Sequence, residues 1–288
     1  MIEIPADFNK ELLQKFPHQP TLKQLKLLEL LSSFVFNENK DALFLLKGYA
    51  GTGKTTTIGT FVNSLCTAGK KSVLLAPTGR AAKVIALYSK KPAFTIHKKI
   101  YFPKKQSNGS VAFVLQPNKH TNTIFIVDEA SMIPDGKQNQ QLFDSSSLLD
   151  DLISYVYSGV NCKLIFIGDT AQLPPVKLEV SPALEKDTLT YDYQKQVTEI
   201  ELDEVMRQHE DSGILANATA IRLLLRNEGD NLQFDVDFAD VKRLEDGYDI
   251  EDAIVSAYES DGVEDTAFIV RSNKRANQYN EQIRYNIR

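Results

Sequence analysis

Four short, uninterrupted apolar runs punctuate the chain, at 43–46, 73–76, 124–127 and 164–167, and each gives way to a loop of small or polar residues. Strands without polar alternation are buried on both faces, which is the signature of a parallel sheet covered by helices. Helical spacing fills the gaps, as at 56–65 after the first run. The predicted fold is therefore α/β, a doubly wound parallel sheet. In such sheets ligands gather at the carboxyl ends of the strands, so the loops after the four runs are where chemistry is expected.

The pattern changes twice. Between 98 and 121 a Lys-rich stretch, a Ser-Asn-Gly turn and the run Val-Ala-Phe-Val-Leu predict a small β-rich insertion. From 230 to 266 the chain turns acidic around a helical segment at 250–258, and Ala267-Phe-Ile-Val270 then repeats the buried-strand signature ahead of a helix from Lys274. The expected domains are 1–230 and 231–288, the second being a linker and the beginning of another sheet domain.

The loop after the first run is Gly48-Tyr-Ala50-Gly51-Thr52-Gly53-Lys54-Thr55, followed by Thr56. Strand, glycine loop and helix in that order form a phosphate cradle, or P-loop: glycines let backbone N–H groups converge, and the helix start adds partial positive charge. Lys54 supplies a full charge, and the Thr55 hydroxyl is placed to ligate Mg²⁺. A plain glycine turn is the bland reading. The third run ends in Asp128-Glu129-Ala-Ser131, which places Asp128 to hold the metal shell and Glu129 to orient and deprotonate a water. An exposed acid pair at a helix start is the alternative there. Gly168-Asp169-Thr-Ala-Gln172-Leu-Pro-Pro175 reads as a turn, and Arg207 in Glu201-Leu-Asp-Glu-Val-Met-Arg207 as a surface helix residue.

Charge sharpens the picture. The chain of 288 residues carries a formal −5, yet 42–127 contains no Asp or Glu and thirteen Lys or Arg. One face is expected to be positive, which suits a polyanionic partner, although solubilising lysines would give the same count. No stretch approaches the roughly 20 apolar residues that span a bilayer, so no membrane partner and a cytoplasmic address are expected. Cys66 and Cys162 have no metal-type spacing and read as buried thiols, and the four histidines suggest no zinc site.

Taken in order, Gln24 in Pro20-Thr-Leu-Lys-Gln24, the P-loop, Ala76-Pro77-Thr78-Gly-Arg-Ala-Ala-Lys83, Thr95-Ile-His97, Val-Asp128-Glu129-Ala-Ser, Gly-Asp-Thr-Ala-Gln172-Leu-Pro-Pro-Val and Leu-Asp-Glu-Val-Met-Arg207-Gln resemble the RecD-like and Dda-like branch of superfamily 1 helicases. The resemblance extends over almost the whole chain. It implies a RecA-like ATPase domain using ATP and Mg²⁺, with single-stranded DNA as partner, a monomer moving 5′ to 3′. It further implies that Gln24 reads adenine, Gln172 couples the γ-phosphate to the DNA track, and Arg207 is an arginine finger. Pro77, Thr78 and His97 would line the strand's groove. Lys98, Lys99, Lys104 and Lys105 could add backbone contacts, while Phe94, Tyr101 and Phe102 are read as core residues, with base stacking as the alternative. The family's later motifs are not found, so a piece of a longer protein is expected. Two other readings stay open, a nucleotide- and DNA-binding module without turnover and a P-loop ATPase unrelated to nucleic acid. A nuclease partner, as in the family's exonuclease complexes, has no residue here to support it.

Overall fold

A computed structural model of the chain describes residues 2–105, 111–134, 136, 147–204, 212–226 and 233–286. It divides into two compact units, Met1–Arg207 and Gln208–Arg288.

The first unit is built on six parallel strands: β1 (Ala42–Gly48), β2 (Lys71–Ala76), β3 (Ala93–Thr95), β6 (Thr123–Val127), β7 (Lys163–Gly168) and β8 (Gln196–Leu202), in the order β3-β2-β6-β7-β1-β8. All four apolar runs became strands. Period-two geometry sends alternate residues of β1 to opposite faces. Phe44 and Leu46 join one core with Ile58, Phe61, Ile85 and Leu31, while Leu43 and Leu45 join the other with Phe125, Leu152 and Phe166. The first core lies under α1 (Pro5–Lys15), α2 (Leu22–Phe36), α3 (Lys54–Ser64) and α4 (Gly79–Ser89); α5 (Ile96–Ile100) and α6 (Leu148–Tyr157) contribute to the second. The expected insertion is an antiparallel hairpin of β4 (Tyr101–Lys105) and β5 (Val111–Leu115), separate from the main sheet.

Lys163 shows how the layers are joined. Buried at the start of β7, its Nζ donates to the carbonyls of Phe34 at 2.8 Å, Val35 at 3.5 Å and Asn37, capping the end of α2. These acceptors favour the ammonium, but burial, then the Lys70 charge, pulls its pKa down from 10.5 to about 8. Because the folded value is the lower one, the unfolded chain holds more protons between about 8 and 10.5, and stability rises with pH across that window. Lys163→Met removes this rise and leaves the carbonyls without their donor. It is expected to be about 1–3 kcal/mol less stable at pH 7. Urea unfolding should show the deficit growing as pH climbs past about 8.

Two expectations fail. Cys66 is exposed, because Leu65 and Ala68 take the inward positions of the 3₁₀ turn Leu65–Ala68; Cys162 is buried as expected, and both thiols are free. In the second unit, residues 267–270 are not a buried strand: Ile269 is 92% exposed, and among the described residues no strand pairs with them. An apolar run becomes a central strand only when neighbours hydrogen-bond it on both sides. Among the described residues, that unit holds α7 (Gly213–Arg226), α8 (Gly247–Ser260), α9 (Gly262–Asp265) and α10 (Asn273–Asn286). The Asp240 carboxylate secures the start of α7, accepting from the Ser212 hydroxyl at 2.9 Å and the Gly213 N–H at 2.8 Å.

Candidate nucleotide site and adjoining strand-end loops

Parallel register brings the motifs into one row. Lys47 pairs with Gly168, Phe166 with Val127, Val127 with Leu75 and Ala76 with Thr95, so every strand from β1 to β3 ends at the same level. Along that edge stand the P-loop after β1, Asp169 to Gln172 after β7, Asp128 and Glu129 after β6, Pro77 and Thr78 after β2, and His97 and Lys98 after β3. Of the motif that begins at Glu201, the part holding Arg207 lies outside the described residues.

The loop between β1 and α3 turns through two left-handed glycines, Gly51 at φ 78° and Gly53 at φ 83°. Side chains rarely adopt that backbone, and at Gly53 space forbids one as well: a Cβ there would lie 2.3 Å from Gln24 Nε2. Gly48 is tight to a lesser degree, since a Cβ would stand 3.0 Å from Leu202. Thr52 is buried and its hydroxyl donates to the Tyr49 carbonyl at 2.8 Å. Lys54 Nζ donates to the carbonyls of Gly48 at 2.5 Å and Tyr49 at 2.8 Å, while Thr55 is exposed at the helix start and Thr56 half-buried beside it.

Gln24 braces this loop from α2. Its Oε1 accepts from the Thr21 N–H at 3.1 Å and the Thr21 hydroxyl accepts from the Gln24 N–H at 3.3 Å, a capping box that starts the helix. Its Nε2 donates to the Thr52 carbonyl at 3.1 Å, and the residue is 2% exposed.

Opposite stands the acid pair. Glu129 is held in the left-handed region at φ 55°, which is uncommon for a residue bearing a long side chain. Burial first, then the Asp128 charge, raises its carboxyl above the usual range, against the pull of Lys54 and of a hydrogen bond from Gln172. Gln172 also accepts from the Ser131 hydroxyl at 3.3 Å, and Asp169, buried, caps its own turn by accepting from the Ala171 N–H at 2.9 Å. Asp128 Oδ1 accepts from the Glu129 N–H at 3.0 Å and Oδ2 from the Tyr88 hydroxyl at 2.7 Å. Lys54, Asp128, Glu129 and Gln172 thus form one interacting group. Ser131 and Tyr88 belong to it too; no motif reading singled out the first for a role or named the second at all.

The oxygen donors fit a hard cation, since Mg²⁺ takes one or two protein oxygens and completes its shell with water and phosphate. Thr55, exposed at the start of α3, and Asp128 are the residues that would hold it.

Farther along the row, the Thr78 hydroxyl N-caps α4 by accepting from the Ala81 N–H at 3.2 Å. Thr95 caps α5 by accepting from the Lys98 N–H at 3.3 Å, His97 is half-buried with its ring 5.8 Å from that of Tyr101, and Lys98 is exposed. Of the three aromatics read as core, only Tyr101 is, at 6% exposure, donating to Asp151 Oδ2 at 2.5 Å. Phe94 and Phe102 are 36% and 40% exposed, and Lys99 Nζ stands 5.4 Å from the Phe94 ring centroid.

The chain matches the family described as "AAA domain" over residues 34–231. It is 32% identical over 135 residues to the ATP-dependent RecD2 DNA helicase of Deinococcus radiodurans, covering 46% of this chain and 16% of that protein. To the ATP-dependent DNA helicase dda of Enterobacteria phage T4 it is 30% identical over 180 residues, covering 62% and 37%. A solved structure of the Pif1 helicase from Bacteroides in complex with ADP-AlF3 and ssDNA aligns with TM-score 0.47 and 17% identity, covering 92% of this chain and 57% of that one. The chain spans less than half the length of the curated relatives it matches. The family match and the ordered motifs agree: the chain belongs to the AAA domain family, on the RecD-like and Dda-like branch of the superfamily 1 helicases.

Proposed function

We propose that this chain is the ATP-hydrolysing motor portion of a DNA helicase, moving along single-stranded DNA from 5′ to 3′. The observation that carries the reading is the single row of strand ends, on which the P-loop and acid pair adjoin the loops at Pro77, Thr78, His97 and Lys98. Adjacent parallel strands share hydrogen bonds, so a displacement at β6 is transmitted to β2 and β3.

Lys54 and backbone N–H groups of the loop hold the phosphates; the adenine role of Gln24, whose amide is engaged by Thr21 and Thr52, rests on resemblance alone. Thr55 and Asp128 hold Mg²⁺, whose chemistry is to neutralise charge on the transferred phosphoryl group. Glu129 takes the proton of the attacking water, Gln172 registers the γ-phosphate, and Arg207 supplies the finger. Pro77, Thr78 and His97 line the strand's path, Lys98 meets its backbone, and the exposed Phe94 and Phe102 offer faces on which bases stack. The 5′ to 3′ direction rests on resemblance alone.

The test is phosphate release with and without a single-stranded oligonucleotide, paired with oligonucleotide binding at two salt concentrations. Hydrolysis that rises with DNA, and affinity that falls with salt, are the expected results. Hydrolysis indifferent to DNA, together with no salt-dependent affinity, would leave a P-loop ATPase unrelated to nucleic acid. Binding of both ligands without turnover would reduce the chain to a binding module.

A further inference from the structure

Tyr88 lies in the last turn of α4, and that turn is firmly fixed. The Ser89 hydroxyl donates to the Ile85 carbonyl at 2.5 Å, Lys90 ends the helix in the left-handed region, and Lys91 Nζ donates to the Val62 carbonyl of α3 at 2.7 Å. Against Tyr88, α3 presents a glycine: a Cβ at Gly59 would lie 3.4 Å from the Tyr88 carbonyl and 3.9 Å from its ring carbon Cδ2. The ring therefore lies close against the helix that begins with Lys54. From there its hydroxyl reaches Asp128 Oδ2 at 2.7 Å, while Glu129 N–H occupies Oδ1.

We propose that Tyr88 is a positioning residue for the magnesium-bound nucleotide, fixing the orientation of the Asp128 carboxylate and tying it to α4, the helix capped by Thr78. This rests on the nucleotide reading above. Each Asp128 oxygen receives one protein donor, and an ionised carboxylate oxygen has a second lone pair for the metal's shell. The torsion that orients a carboxylate is intrinsically broad, so without the hydroxyl one of its two restraints is gone. Partners of metal-holding groups are typically worth about 10–100-fold in metal affinity.

The experiment uses Tyr88→Phe, which removes one oxygen, and reads binding of a fluorescent (mant) ATP analogue across a magnesium chloride titration. The half-saturating magnesium concentration is expected to rise about tenfold, with affinity in EDTA unchanged. In an Asp128→Asn background the same substitution should have no further effect, because the bond it removes no longer has its charged partner. Tyr88→Leu is the second variant should the first fail to fold, with the same shift expected. An unshifted titration in a folded variant overturns the proposal, and so does an equal loss with and without magnesium, which marks packing alone. If wild-type protein binds the analogue no better with magnesium than without, the nucleotide reading itself falls.

Discussion

Glu129→Gln is expected to slow ATP turnover by about 10²–10⁴-fold, the range for loss of a general base, while nucleotide binding stays within a few-fold of wild type. The substitution keeps shape and a hydrogen-bonding partner for Gln172 but removes the only function an amide cannot perform, accepting a proton. The surroundings suit that task. Burial and the Asp128 charge make the carboxylate a stronger base than an exposed glutamate, against the pull of Lys54 and of the Gln172 hydrogen bond. Steady-state phosphate release in the presence of single-stranded DNA, set beside an analogue titration, separates the two quantities. Turnover preserved in the variant would mean that the proton goes elsewhere and that the αL backbone at 129 serves another end.

Lys54→Met should weaken nucleotide binding and lower turnover by about 10²–10³-fold, the scale for losing one charged stabilising group. Two effects combine. The ammonium now held by the Gly48 and Tyr49 carbonyls is the positive charge of the cradle, and it is also the charge that holds the Glu129 carboxyl down. Because the two residues interact, the double variant Lys54→Met with Glu129→Gln should lose less than the two single losses combined. Strictly additive losses would show that Lys54 and Glu129 do not act on the same phosphate.

The sheet was legible wherever burial on both faces wrote an unbroken apolar run, as at β1, β2, β6 and β7. It was not legible at β8, where Val197 and Ile200 are interleaved with Glu199 and Glu201: an edge strand is half-exposed and carries no such run. The run at 267–270 erred the other way, since burial depends on partners that local composition does not encode. Motif order singled out Lys54, Asp128, Glu129 and Gln172, which the structure brings into mutual interaction because cradle, acid pair and glutamine each follow a strand. It could not find the Asp128 contact made by Tyr88, since a hydroxyl forty residues distant in the chain leaves no spacing to read. Nor did it show that the Gln24 amide is already engaged by Thr21 and Thr52.

The left-handed backbone of Glu129 sets heat resistance against work. A side chain in that region costs on the order of 1–3 kcal/mol relative to an unstrained one, and glycine would relieve it at no steric cost. Selection for survival at high temperature, with no demand for hydrolysis, would therefore favour glycine or asparagine at 129 and yield a tougher protein lacking the carboxylate proposed to take the proton.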